Sequence, residues 1–136
     1  MKKFASLGAA ILLLAALALS GCHGRREQAA FAVPESFDTS RQYEVVFWAK
    51  NDTNKTQTDI YKQAITDFQA LYPNITVTLR LYTDYGDIYN DVITNISTGT
   101  TPNVCITYPD HIATYLTGDN VVVPLDDLFD DERYGF

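Results

Sequence analysis

The chain is poor in the residue types on which metal and nucleophile chemistry most often depends. It holds two cysteines, two histidines, one methionine and one tryptophan among 136 residues. His23 and His111 stand far apart in sequence, and no Gly-x-Ser-x-Gly, phosphate loop or metal-ligand spacing accompanies them. A hydrolase triad, a nucleotide site and a zinc site are therefore not signalled. Cations are also scarce, with 10 Lys and Arg against 17 Asp and Glu. Binding to nucleic acid needs clustered Lys and Arg to meet the phosphates, so no nucleic-acid partner is expected. The acidic run Asp126, Asp127, Asp130, Asp131, Glu132 lacks the glycine-centred spacing of a calcium loop and reads as a solvated helix face. No cofactor and no metal are expected.

Long apolar runs are absent except at the start. Lys2 and Lys3 precede an apolar stretch from Phe4 to Leu19, interrupted only by Ser6 and Gly8, and Ser20-Gly21-Cys22 follows. A charged start, an apolar middle and small residues before a cut are the marks of a secretory signal peptide. The run is shorter than the roughly 20 residues a spanning helix needs. Removing residues 1–21 takes away Lys2 and Lys3 and no acid, so the formal charge moves from −7 to −9. Such acidity favours solubility and selects no ligand.

Leu19-Ser20-Gly21-Cys22 resembles the bacterial lipobox. The resemblance implies a diacylglyceryl group on the Cys22 thiol, cleavage before Cys22, and an anchor on the extracytoplasmic face of the cell membrane, with palmitate a typical acyl chain. Two or more acyl chains on one residue hold a protein stably to a bilayer where one does not. With Cys22 so used, Cys105 has no intrachain partner. Its place in Val104-Cys105-Ile106 suits a small buried hydrophobe.

Residues 22–42 show little pattern and are punctuated by Gly24, Pro34, Ser36, Thr39 and Ser40, as expected of a flexible tether. The folded unit is expected over 43–136. Tyr43 to Trp48 is a β-rich, mostly apolar run suited to a buried strand. A helix is predicted over 56–72, with Ile60, Ala64, Ile65, Phe68 and Leu71 as its inner face and Pro73-Asn74 as its end. Ile75, Val77, Leu79 and Leu81 alternate with polar residues as in a half-buried strand. A second helix is predicted over 87–97, with Ile88, Val92, Ile93 and Ile96 inward and Gly99 past its end. A strand over 104–108, a short helix through Leu116, an extended Val121–Leu125 and a last helix capped by Asp126 complete the pattern. This β-α-β-α-β-α order predicts an α/β fold: a three-layer, open, mainly parallel sheet with helices on both faces. In such sheets ligands bind outside the carboxyl ends of the strands.

Four segments then resemble the N-terminal lobe of the family 1 extracellular solute-binding proteins, the sugar-binding subunits of bacterial ABC importers. They are Val46-Phe47-Trp48, Phe68 to Ile75, Thr98-Gly99-Thr100-Thr101-Pro102-Asn103-Val104, and Val123-Pro124-Leu125-Asp126. The resemblance implies a lobe like that of type II periplasmic binding proteins, a carbohydrate ligand, permease subunits in the membrane as partners, a monomer and no enzymatic activity. The family has two lobes joined by a hinge, so a chain ending at Phe136 is expected to be a truncated N-terminal lobe that folds weakly and binds its solute poorly alone. A polyol, a glycerophosphodiester or a peptide is an alternative solute, and an exported lipid-anchored carbohydrate-active enzyme is an alternative class.

Sugars offer paired hydroxyls and apolar ring faces, which carboxylates, amides and aromatic rings recognise. At the strand ends, the candidates are Lys50, Asn51 and Asp52 after the first strand, Tyr82 and Asp84 with Tyr85 after the second, and Tyr108 and Asp110 after the third. Asp110 reads equally as a helix cap. His111 reads better as a solvent-facing helix residue. Trp48 has no side chosen for it, core or cleft.

Overall fold

The computed structural model of the chain describes residues 31–51 and 55–135. Cys22 and Asp52 lie outside the described residues, as do the apolar leader and residues 22–30 of the expected tether. Strand β1 spans Tyr43–Lys50, helix α1 Lys55–Leu71, β2 Ile75–Tyr82, α2 Tyr85–Ile96, β3 Val104–Cys105, α3 Pro109–Tyr115 and α4 Asp126–Phe129. The three strands form one parallel sheet in the order β2-β1-β3. The α/β architecture read from the sequence is therefore the one observed.

The strand order explains the layering. The chain leaves β1 through α1 to reach β2 on one side, then leaves β2 through α2 and passes β1 to reach β3 on the other. Right-handed crossovers in opposite directions place their helices on opposite faces of the sheet. Phe47, which faces one side, meets Tyr61 of α1 edge-on with ring centroids 5.8 Å apart. Trp48, its neighbour, faces the other side and joins Ile88 and Val92 of α2 and Tyr115 of α3 in the buried core. The core thus lies between the sheet and the pair α2/α3, and Trp48 belongs to it.

Full-length pairing of β1 with β2 runs from Tyr43 opposite Ile75 to Lys50 opposite Tyr82. Asn74 fixes its start: the buried side chain donates from Nδ2 to the Arg41 carbonyl at 2.9 Å, and its own carbonyl accepts from the Tyr43 amide at 2.9 Å. β2 is an edge strand, and its outward Val77 amide is met by Gln69 Oε1 of α1 at 2.7 Å. Covering an edge amide in this way blunts pairing with foreign strands.

Three expectations need correction. The third strand is two residues long instead of five, because Asn103 and Ile106 flank it with single bonds. Asn103 both donates its amide to the Val46 carbonyl at 3.1 Å and accepts the Val46 amide on its side chain at 2.8 Å, while the Ile106 amide donates to Trp48 at 3.0 Å. The inner face of α1 is only partly the expected one. Ile65 is half-buried against the sheet, and Ala64 and Phe68 line a groove with Val45, Phe47 and Val77, but Ile60 and Leu71 are exposed and Thr58, Tyr61 and Gln69 are half-buried in their place. Two polar residues on that face made the apolar stripe look rotated. Asp126 is not a cap: Leu125 holds that position for α4 and Asp126 lies in the first turn.

The described ends meet where β1 and β2 begin. Phe37 stacks on Tyr43 at 5.1 Å and meets Tyr72 edge-on at 6.3 Å. Arg133 donates to the Glu35 carbonyl and pairs with Asp131 at 3.0 Å, which holds the Asp131 carboxyl down to about 2.

Candidate functional site

Parallel strands that share a direction bring their carboxyl ends to one edge of the sheet. The order β2-β1-β3 places the reversal of chain direction between β1 and β3, and such a switch point opens a crevice for a ligand. Lys50 ends β1 at this point, and Tyr108 follows β3 and opens α3.

The sequence builds an aromatic surface there. Asp84 caps α2, accepting from the Gly86 amide at 2.6 Å, and so sets Tyr85 on the first turn. The Tyr85 ring lies 4.3 Å from the Tyr108 ring, and the Lys50 ammonium stands 5.2 Å above Tyr85. A cation over a ring face at this range gains on the order of 0.5–1 kcal/mol at an exposed site. Tyr108 meets His111 edge-on at 5.7 Å, and His111 lies against Tyr89 at 4.4 Å. Nδ1 of His111 is 3.3 Å from Thr107 Oγ1, and the Tyr89 hydroxyl is 3.1 Å from Thr114 Oγ1. The result is a continuous run of rings from Lys50 across to α3, with Tyr108 about half exposed at 49%.

Of the eight residues named from the sequence, Asp52 lies outside the described residues and the other seven divide clearly. Lys50 and Tyr108 are brought together around the switch point through Tyr85, and Asp110 is exposed on the first turn of α3. Asp110 does not cap that helix. Tyr108 holds the cap position with Pro109 after it, and Asp110 Oδ1 instead takes the His111 amide at 3.1 Å. Asp84 is at the same edge, its carboxylate engaged with Gly86. Asn51 ties the end of β1 down: its amide donates to the Tyr82 carbonyl at 2.6 Å, and Oδ1 accepts from Thr58 of α1 at 3.0 Å.

Tyr82 is turned the other way, into the core. Its ring packs on Trp48 at 5.4 Å and its hydroxyl donates to Asp91 Oδ2 at 2.8 Å. Burial first, and the bond to Asp91 second, push its ionisation well above the usual tyrosine range. Arg80 covers the pair, 4.5 Å over Tyr82 and 5.1 Å over Trp48, and bridges to Asp91 at 2.8 Å. Tyr89 and Thr107 join the site without having been singled out in the sequence. Tyr89 lies one helical turn beyond Tyr85, a spacing that places both on one face of α2.

Cys105 is half-buried, and burial raises its thiol. Raised and apolar is the condition of an inert structural cysteine.

A sequence model of the bacterial extracellular solute-binding protein family matches residues 53–135, more than half of the chain. No curated protein and no solved structure matches it.

Proposed function

We propose, since the chain belongs to the bacterial extracellular solute-binding proteins, that it serves an ABC-type importer by binding a sugar or oligosaccharide and passing it to permease subunits. Membership carries the coarser statement, that the protein binds a solute outside the cytoplasm. The finer one is supported by a single observation. The half-exposed Tyr108 ring, backed by Tyr85, presents an aromatic face at the switch point, with the Lys50 ammonium over Tyr85 and Asp110 exposed on the first turn of α3. An aromatic face covers the C–H side of a sugar ring, while charged and amide groups pair with its hydroxyls. Asn51, Asp52 and Asp84 are proposed as further contacts from the same strand ends, and Tyr82 as the residue whose backbone carbonyl holds Asn51 in place.

The protein is further proposed to be a lipoprotein, acylated on Cys22 after removal of residues 1–21 and attached through the segment 22–42, whose described part lies against the fold through Phe37, Glu35 and Arg41. Cys22→Ala is expected to leave a larger, unprocessed precursor, and a mature wild-type protein with a free Cys22 thiol by mass spectrometry would remove the lipid anchor.

Calorimetric titration with a panel of monosaccharides, oligosaccharides, polyols, glycerophosphodiesters and peptides tests the sugar reading. A saturable heat with a saccharide is expected, without release of a cleaved product. Binding confined to peptides or polyols, or turnover of the saccharide, would overturn it.

A further inference from the structure

The chain ahead of β1 is fastened to the fold before the first strand begins. Asp38 Oδ1 accepts from the Ser40 hydroxyl at 2.6 Å and from the Ser40 amide at 2.9 Å, which makes a turn and holds the Asp38 carboxyl below the usual carboxylate range. The turn lays the Phe37 ring on Tyr43 at 5.1 Å and edge-on to Tyr72 at 6.3 Å, and the Arg41 guanidinium stands 5.3 Å over Tyr43. Asn74 then holds the Arg41 carbonyl at 2.9 Å. It is the one buried polar side chain among the described residues, and a buried amide that loses its partner bears the full desolvation cost. Phe31 and Pro34 continue along the same surface beside Phe68 and Tyr72. Tyr43, Tyr72 and Asn74 all belong to the first β-α-β unit, so the fastening is made within it. We propose that residues 31–42 are a strap belonging to the folded lobe, which shortens the leash between the acylated Cys22 and the fold.

Residue count sets the length of that leash. With the strap closed, nine residues lead from Cys22 to Phe31 and reach at most about 30 Å. With it open, twenty-one lead from Cys22 to Tyr43 and reach at most about 70 Å. The effective concentration of a tethered partner falls roughly as the −3/2 power of tether length, so opening the strap dilutes the lobe at the membrane by about three- to fourfold. The closed strap therefore keeps the lobe near the permease subunits of the proposed function. A leash fixes distance and leaves orientation free, so the edge that carries Lys50 and Tyr108 can turn toward the membrane. This consequence rests on acylation of Cys22 and on the importer reading, whereas the strap itself does not.

Trypsin and energy transfer read the strap and the leash separately. The full chain, processed by its host, is reconstituted in phosphatidylcholine–phosphatidylglycerol vesicles, and intact mass reports the acylation. The bond after Arg41 contains the carbonyl that Asn74 holds. Trypsin is expected to cut it roughly tenfold or more slowly in the native chain than in the chain unfolded in urea, since cleavage follows local opening. Phe37→Ala and Asn74→Ala are each expected to speed that cut while the cut after Arg80, inside β2, keeps its native rate. Should Asn74→Ala unfold the chain, both cuts accelerate together, and Phe37→Ala, at a ring already 37% exposed, carries the comparison. A native cut after Arg41 as fast as the unfolded one would overturn the strap. Energy transfer from Trp48, the only tryptophan of the chain, to dansyl-labelled headgroups reads the leash. A loss of transfer is expected in acylated Phe37→Ala relative to acylated wild type. Equal transfer in the two, with the faster cut present in the variant, would overturn the leash. An unacylated Cys22 would remove the anchor of the proposed function and leave the strap to stand or fall on the trypsin result.

Discussion

Single residues decide whether an aromatic group serves the core or the site, and the sequence alone does not distinguish them. Tyr82 ends β2 and Tyr108 follows β3, yet one is buried on Trp48 and the other is half exposed. The difference lies in the partner: Asp91, one turn into α2 past Ile88, offers a carboxylate within reach of the Tyr82 hydroxyl. Tyr82→Phe deletes that bond and is expected to cost about 1 kcal/mol in urea unfolding, whereas Asp91→Ala strands the buried hydroxyl and costs about 1–3 kcal/mol. The pH dependence has a definite sign. Because folding raises the Tyr82 ionisation, its contribution is complete below the unfolded tyrosine range near pH 10 and is lost as pH rises beyond it. Wild-type stability should therefore fall relative to Tyr82→Phe between pH 9 and pH 11, and parallel curves would contradict the assignment.

At the scale of elements, the sequence was informative where hydrophobic period and burial coincide, and misleading where they part. β1, β2 and α2 lie within a residue or two of their expected places, since Ile75 to Leu81 alternates and Ile88 with Val92 is buried. On α1 the apolar period points to Ile60 and Leu71, but the sheet is met by Thr58, Tyr61, Ile65 and Gln69. Thr58 and Gln69 were unreadable as inner residues because each is there to satisfy a specific polar group, Asn51 and the Val77 amide. Ile88→Ala is expected to cost about 2–5 kcal/mol as a buried truncation. Ile60→Ala, at 60% exposure, is expected to stay within about 0.5 kcal/mol. A loss at Ile60 comparable to that at Ile88 in thermal unfolding would mean that its face is covered. Gly99 holds φ of 67° with open space around it, so Gly99→Ala tests backbone strain alone and should cost about 1–2 kcal/mol.

For the whole molecule, the direction of the sheet is the organising fact. One edge gathers Lys50, Tyr85, Tyr108 and Asp110, and the other gathers the described chain ends and an apolar cleft. The β-α alternation, which implies parallel strands, made the first edge legible in sequence as the place for a ligand. The second was not legible, because Phe37, Tyr72 and Tyr134 come from three distant segments that only the fold unites. The central claim is that the Tyr85–Tyr108 surface binds the solute, and its most direct test is the affinity of Tyr108→Ala measured by calorimetry against wild type. Loss of the stacking face is expected to weaken binding by about 0.5–1.5 kcal/mol, roughly two- to tenfold, while Phe68→Ala at the far edge leaves it unchanged. Unaltered affinity in Tyr108→Ala, with a loss in Phe68→Ala, would place the solute at the wrong end of the sheet for this account.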